Sequence, residues 1–531
     1  MKIAISYPPI VNKRGQTAMV SQNRNVQYFK YPTYLLPVIY AQAATWLKNL
    51  GFEVRWDDGN SQRKTYKQWF DQLVAWQPDI VVLESTTPVM NFYWQTTNDL
   101  KRALPKTIFI MTGYHSVRRP NETLDKSAVD IVLKSNHVDF VLAKLIPYIA
   151  KHNNWRRTCT VEGLTIRVDK KRVRDTGAFR QVEPLDNSPL VGRDLVGWKN
   201  YAYENGNFLQ TPGTYATSVI RDCMFGKCTF CRYNGPDLTF SKMSVEKSLD
   251  EYQMLIEKYG VKEIFDDSGV WYRGADARRF AQGIIDRGLH KKGCYFGFNT
   301  RFEYLDEETI KLLAEANFRF VLIGLEAASN ETLRRLNKGY QNDYIVPCLT
   351  WMKKYGLHPH MTVMVGYYWE TQEMLDETVR FVKELMSSGL TRSIQVTLCT
   401  PLDYTPYHIE CITKKVLLAK SYDDFDMSKL IVKTPIPHEK YYEAIREMYG
   451  FGFSPQFIFR QVLFLLTFRK RDWQFLFIYG WRAIRRLTNH YYDLTIHSRK
   501  GAKPMGIIQR IAVFWVEKMA SHFETRPQIS S

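Results

Sequence analysis

A chain of 531 residues is long enough for two to four separate cores, and 45% apolar with 24% charged residues excludes a low-complexity, collagen-like or disordered chain. The formal net charge of +19 admits nucleic acid, a membrane surface or a phosphorylated molecule as partner and selects none of them. Eight cysteines are too few for a disulfide scaffold, and no run of about 18 apolar residues predicts a transmembrane helix. MKIAISYPPI has no long apolar h-region, so no signal peptide is expected and the chain is expected in a reducing cytoplasm.

Residues 1–150 alternate Ile- and Val-rich runs with amphipathic stretches. KIAIS (2–6), FEVRW (52–56), DIVVLES (79–85), TIFIMTG (107–113) and VDIVLKS (129–135) predict strands. LLPVIYAQAATWLKNLG (35–51), YKQWFDQLVAW (66–76) and WQTTNDLKRAL (94–104) predict helices between them. This order predicts a doubly wound, Rossmann-like parallel sheet with a ligand crevice beyond its strand ends, near Tyr7, Asp57, Ser85 and Gly113. With no GxGxxG, a nicotinamide or flavin dinucleotide is not expected there. Residues 151–212 are polar and read as a connector with one hairpin around LTIRVDKKRVR (164–174).

A second β–α alternation fills 213–405. TYATSVI (214–220), VKEIFDD (261–267), CYFGFNT (294–300), FRFVLIG (318–324), HMTVMVG (360–366) and SIQVTLC (393–399) predict six strands of a partial (β/α)6 TIM-type barrel. In such barrels chemistry sits at the strand C-terminal ends. There the sequence places Asp266, Asp267, Asn299, Arg301, Glu326 and Gly366, a polar ring suited to a zwitterionic, ribose-bearing ligand. RDCMFGKCTFC (221–231) follows the first of these strands, with Cys223, Cys228 and Cys231 spaced C-x4-C-x2-C. Three thiolates on a cubane 4Fe–4S cluster leave one iron open to chelate an amine and a carboxylate. A structural zinc site would instead require four closed ligands, and the next Cys or His is His290.

RDCMFGKCTFC, EIFDDSG, FNTRFEYLDEETIKLLAEANFRFVLIGLEAAS and LRRLNKGY resemble the radical S-adenosylmethionine (SAM) superfamily, and within it the class with an N-terminal cobalamin-binding domain. The resemblance covers roughly residues 1–430 and is strongest over 215–370. It implies a 4Fe–4S cluster on Cys223, Cys228 and Cys231, with SAM on the open iron cleaved by one electron to a 5′-deoxyadenosyl radical. It further implies Phe230 near the adenine, Asp266 or Asp267 facing the methionine ammonium, and Arg301 and Glu326 at the carboxylate and ribose. An electron donor such as flavodoxin or ferredoxin is an implied partner. Two departures stand out. The family usually spaces its thiols C-x3-C-x2-C; Gly226 lies in the longer gap and can take a positive φ. Where the family runs Gly-x-Pro after the fifth strand, this chain has GYYWET (366–371).

Cobalamin is expected in the N-terminal crevice, although Tyr114 stands where the family more often has a second glycine, and no DxHxxG marks a lower axial histidine; His115 reads as a loop residue. Residues 406–531 form a basic, aromatic region, read as mainly helical. Over 451–531 there are 13 Lys and Arg against 4 Asp and Glu. VLFLLTF (462–468) and WQFLFIYGW (473–481) could rest on an anionic membrane surface or pack over the barrel. The function expected is methylation, or a ring-forming or oxidative rearrangement, at an unactivated carbon of a small molecule or lipid. A radical SAM enzyme modifying RNA and a zinc-containing nucleic-acid binder are the alternatives; the absence of any Cys before Cys159 counts against a methylthiotransferase, and nucleic acid is not the expected partner. Cys399, near the end of the sixth strand, reads as a packed thiol, with an extra participant in the radical chemistry as the alternative.

Overall fold

The computed structural model describes residues 1–452 except 13–14, 22–23, 30–33, 181–182, 204–207, 209, 218, 236–238 and 392, with isolated positions up to 459. The basic aromatic runs at 462–468 and 473–481 lie outside the described residues.

Short β-branched runs make the first sheet. Ile80–Glu84 is buried at all five positions, as expected of a strand covered on both faces. Its neighbours are Lys2–Tyr7, Glu53–Asp58, Ile108–Thr112 and Ile131–Leu133, all parallel, in spatial order 2-1-3-4-5. That is the flavodoxin-like winding, whose switch point falls between the first and third strands. Helices cover both faces. Tyr66–Trp76 starts from a capping box, in which Thr65 and Gln68 each satisfy the other's free backbone amide. The hairpin expected in the connector does form, as Leu164–Arg167 and Val173–Asp175, but it does not stand apart. It joins the first sheet antiparallel through Leu133 and Leu164, extending that sheet to seven strands.

The second sheet has six parallel strands in sequential order: Gly213–Tyr215, Glu263–Asp266, Tyr295–Thr300, Phe318–Glu326, His358–Val365 and Ser393–Leu398. Amphipathic helices pack outside it, several opened by a side-chain cap, as in Ser244 for Val245–Glu257, Asp306 for Glu307–Glu315 and Thr371 for Gln372–Ser387. Phe296 and Phe298 face these helices, against Phe318, Trp271 and Phe280. Gly297, between them, faces the barrel interior. A Cβ there would sit 2.8 Å from Phe265 Cδ2 and 3.0 Å from the Phe320 carbonyl, so glycine lets these rings fill the barrel floor.

The first barrel strand corrects the expected span of 214–220. It is only three residues long. The chain then leaves the barrel, and Ile220–Arg221 pairs antiparallel with Ser241–Lys242. The cysteine stretch is thus a loop pinched at its base. Arg221 pins that base to the N-terminal sheet's helices: its Nη2 donates to Asp139 Oδ2 at 2.7 Å and to Gln42 Oε1 at 2.8 Å.

Candidate active site

The loop from Asp222 to Asn234 is shaped by two left-handed residues. Asp222 has φ 61°, and its carboxylate accepts from Thr239 N at 2.7 Å and Asn136 Nδ2 at 2.8 Å. Gly226 has φ 58°, so the extra residue between the first two thiols is taken up at the one glycine in that gap. Cys231 N donates to Cys228 O at 3.2 Å, and Asn234 closes the loop onto Cys231 O and Cys228 O. All three cysteines are free thiols, Cys228 buried and the other two half-buried. Burial pushes the Cys231 thiol up to about 12, with Cys228 and Cys223 adding to the effect; burial also raises Cys228, against the pull of Lys338 and Arg301. Among the described residues no three Cys, His, Asp or Glu converge as they would around a single ion.

The donor set suits an anionic, iron-rich guest. Arg301 Nη1 lies 3.5 Å from Cys228 Sγ, and its guanidinium covers the Phe225 ring at 3.6 Å. Lys338 is buried, with Nζ 3.0 Å from Glu326 Oε1. Burial opposes its charge, but Glu326, then Tyr340 and Cys228, outweigh burial and hold its pKa above the ordinary lysine range. Both cations carry a carboxylate partner, Arg301 on Glu303 at 2.5 Å and Lys338 on Glu326, so the thiols gain two nearby donors within charge-balanced pairs. Lys338 and Tyr340 stand in LRRLNKGY, so their signal was in the sequence, although only their tertiary position shows their use.

The expected ring residues divide. Asn299 faces the barrel interior; its Nδ2 donates to Asp267 Oδ1 at 3.1 Å and Ser268 O at 2.9 Å, while its buried Oδ1 has no hydrogen-bond partner among the described residues. Arg301 and Glu326 are joined at the mouth through Lys338, whose carbonyl accepts from Arg301 and whose Nζ donates to Glu326, and Glu326 has φ 63°. Asp266 does something else. Fully buried, with its pKa pushed up to about 7 by burial, it accepts from Ser268 N at 2.8 Å and Val219 N at 3.2 Å. Its carboxylate ties down the chain entering the cysteine loop, and Asp267 is the one of the pair nearer the surface. Gly366, φ 94°, turns the chain into the aromatic block Tyr367–Trp369, and Glu370 accepts from the backbone amides of Gly366 at 2.6 Å and Tyr367 at 3.3 Å. Phe230 is half-buried against the core, with Lys338 Nζ 6.0 Å from its ring. Cys399 is a buried thiol near Tyr407 and Cys411.

A lumen completes the site. In the fourth and fifth strands, each flanked on both sides, half-exposed Leu322, Gly324, Thr362 and Met364 alternate with buried residues, and Gln395 and Thr397 continue the row on the sixth, edge strand. Period-two exposure on consecutive strands marks an open inner face. Thr362, Met364, Gln395 and Thr397 are lining residues that sequence reasoning missed; the alternation itself was the available signal.

The N-terminal crevice opens onto the cysteine loop. Tyr40, Glu84, Gly113 and Asn136 line it from one side, and Arg232 and Tyr233 from the other. Tyr7, at the switch point, donates from its hydroxyl to Glu84 Oε2 at 2.8 Å. Burial pushes the Glu84 carboxyl up to about 7 against that hydrogen bond and the Arg232 charge. Ser85 Oγ is engaged with Thr112 O at 3.0 Å and Ser116 Oγ at 2.8 Å. Gly113, φ 98°, is required by Ser85: a Cβ would fall 2.1 Å from the Ser85 carbonyl oxygen. Tyr114 is buried between Arg118 and Arg232, and its hydroxyl donates to Asp403 O at 2.5 Å. His115 is buried against the Tyr422 ring, and burial lowers its pKa to about 4. The crevice lies where a doubly wound sheet binds its ligand, but its own side chains nearly fill it, with a Tyr114 and Arg232 wall where glycines would give bare backbone.

Comparison with known proteins agrees with this geometry. Residues 217–382 match the Radical SAM superfamily model. An uncharacterized methyltransferase of Pyrococcus horikoshii is 24% identical over 449 residues, covering 83% of this chain and 91% of that protein. An anaerobic magnesium-protoporphyrin IX monomethyl ester cyclase of Cereibacter sphaeroides is 24% identical over 74% of this chain and 62% of its own length. Among solved structures, the cobalamin-dependent SAM radical enzyme OxsB superposes with TM-score 0.64 at 15% identity, over 98% of this chain and 75% of OxsB. The radical SAM methyltransferase TsrM of Kitasatospora setae does so with TM-score 0.62 at 14% identity, over 85% and 90%. Over residues 217–382 this chain therefore carries a radical SAM domain, the domain of a superfamily that uses a 4Fe–4S cluster and SAM.

Proposed function

We propose that the chain transfers a methyl group to an unactivated carbon of a small-molecule or lipid substrate, with SAM at the barrel mouth and cobalamin in the N-terminal crevice. The observation that carries this reading is the meeting of two ligand-binding ends on one loop. The carboxyl edge of the 2-1-3-4-5 sheet and the carboxyl edge of the barrel both open onto Asp222–Asn234. A methyl carrier and a radical source bound at those edges would share one space. The P. horikoshii methyltransferase, OxsB and TsrM support the reading by fold and name.

When bound, the cluster supplies the electron that cleaves SAM, and cobalamin supplies a methyl carrier. The protein does the rest. Cys223, Cys228 and Cys231 hold the cluster, with Arg301 and Lys338 as nearby donors. Asn299 Oδ1, with no hydrogen-bond partner among the described residues, can accept from an ammonium or ribose hydroxyl, with Asp267 beside it, and Glu326 stands at the end of the neighbouring strand. Phe230 and the Tyr367–Trp369 block shield the mouth from water. The substrate is expected in the lumen lined by Leu322, Thr362, Met364 and Gln395. The cyclase relative favours a ring-forming outcome as the second reading.

Anaerobic incubation of reconstituted protein with SAM and dithionite tests the first step by the appearance of 5′-deoxyadenosine. Reconstitution with hydroxocobalamin tests the crevice. A corrin absorbance retained through desalting is expected, and its loss would remove cobalamin from this reading.

A further inference from the structure

The helix Pro406–Thr413 sits directly on the cysteine loop. Tyr407 N donates to Thr229 O at 3.0 Å, and Thr229 follows Cys228. From the other side Thr229 N donates to Leu336 O at 3.0 Å, Thr229 Oγ1 to Arg335 O at 3.3 Å, and Asn337 Nδ2 to Lys227 O at 3.0 Å. These contacts bring the helix, the loop and the 335–337 turn to one stretch of surface immediately over the thiols.

That surface has a particular composition. Ile409 and Ile412, three residues apart and so on one helix face, are 54% and 52% exposed. Lys227, Lys414 and Lys415 are exposed around them, and Lys414 Nζ lies 5.6 Å from the Tyr368 ring. Arg335 covers Trp369 at 5.2 Å, next to Arg334. Two carboxylates lie among these five cations. Glu331 is held by Arg334 and Arg335, and Glu410 accepts the Tyr368 hydroxyl. A small apolar centre inside a cationic rim is the anatomy of a transient, electrostatically steered docking site.

We propose that this surface, centred on Ile409 and Ile412 and rimmed by Lys227, Arg335, Lys414 and Lys415, docks an acidic one-electron donor protein of the flavodoxin or ferredoxin kind. The proposal rests on the radical SAM reading and adds where the electron enters. One electron leaves the donor's reduced flavin or iron–sulfur centre and one enters the cluster. No bond forms between the proteins and no proton crosses. Electron transfer weakens steeply with distance, so a donor gains from docking where a backbone hydrogen bond joins the surface helix to the residue after Cys228. Weak redox encounters bury little area, which suits a patch of this size.

The test uses the full chain with its cluster reconstituted and a flavodoxin as probe. Affinity is measured by isothermal titration for the unaltered chain, Lys414→Glu/Lys415→Glu and Ile409→Ser/Ile412→Ser. Each pair is expected to weaken Kd at least tenfold, while 5′-deoxyadenosine formation driven by dithionite is unchanged. Raising the salt concentration is expected to weaken the unaltered complex and to narrow its gap to the lysine pair. Unchanged affinity in both pairs overturns the proposal. So does loss of binding to phosphatidylserine vesicles with flavodoxin affinity intact, which would assign the patch to a membrane. Absence of 5′-deoxyadenosine from the unaltered chain with dithionite would sink the radical reading itself, a failure that the affinity measurement does not share.

Discussion

Replacing Arg221 with methionine tests how the cysteine loop is held. Arg221 and Asp139 have side chains 1% and 0% exposed and form a two-pronged pair. Asp139 also accepts from Ser188 Oγ, and Arg221 from its other edge donates to Gln42. Arg221→Met leaves the Asp139 carboxylate buried with Ser188 as its remaining partner. Breaking a buried pair from one side costs about 3–5 kcal/mol, because a charge stays behind without compensation. Replacing both with apolar residues removes that charge, so Arg221→Met/Asp139→Leu is expected to recover most of the loss. Urea unfolding followed by tryptophan fluorescence gives all four corners of the cycle, with a coupling of about 2 kcal/mol or more. Acid gives an independent check. Burial raises the Asp139 pKa, but Arg221 and Ser188 outweigh it and hold the carboxyl below its usual range. The pair's contribution is therefore complete above the unfolded carboxyl's pKa of about 4 and is lost as pH falls through the lower folded value. A single-variant cost under about 1 kcal/mol, or a double variant as weak as the two singles added, would refute the argument that this pair anchors the loop.

Alanine at any of Cys223, Cys228 or Cys231 is expected to lower iron content and abolish 5′-deoxyadenosine formation, read by iron and sulfide analysis with chromatography. Asn299→Leu is expected to raise the Kd for SAM about tenfold, measured by equilibrium binding, because the Oδ1 acceptor is lost; an unchanged Kd would remove Asn299 from the SAM contacts. Burial pushes Glu370 up to about 7 from 4.5 against its two backbone hydrogen bonds, so its ionisation destabilises the fold and stability falls as pH rises through that window. Glu370→Gln is expected to flatten that fall by on the order of 2–3 kcal/mol in unfolding curves at pH 4 and 8. Gly113→Ala places a Cβ on the Ser85 carbonyl at a φ of 98° and is expected to cost at least about 1–3 kcal/mol in thermal or urea unfolding.

The β–α alternation, with its Ile- and Val-rich runs, determined the parallel strands of both sheets but not the antiparallel pair 164–175 that extends the first, because right-handed crossover connections leave little choice of topology only for parallel strands. The C-x4-C-x2-C spacing with Gly226 determined a three-thiol loop, since gathering three thiols on one short loop needs only local backbone geometry. What only the tertiary structure decided involves residues far apart in the chain. Asp266 and Asp267 are adjacent and alike in sequence, yet burial and the amides of Val219 and Ser268 turn one into an anchor for the loop. Lys338 reaches the thiols from more than a hundred residues away, and Arg221 is clamped by Asp139 across the domain boundary. Gly113 reads as room for a ligand in sequence, whereas in the fold its missing Cβ is space used by Ser85. A side chain's charge state and free valences are set by what packs around it, and those neighbours are non-local; periodicity and spacing along the chain carry no record of them.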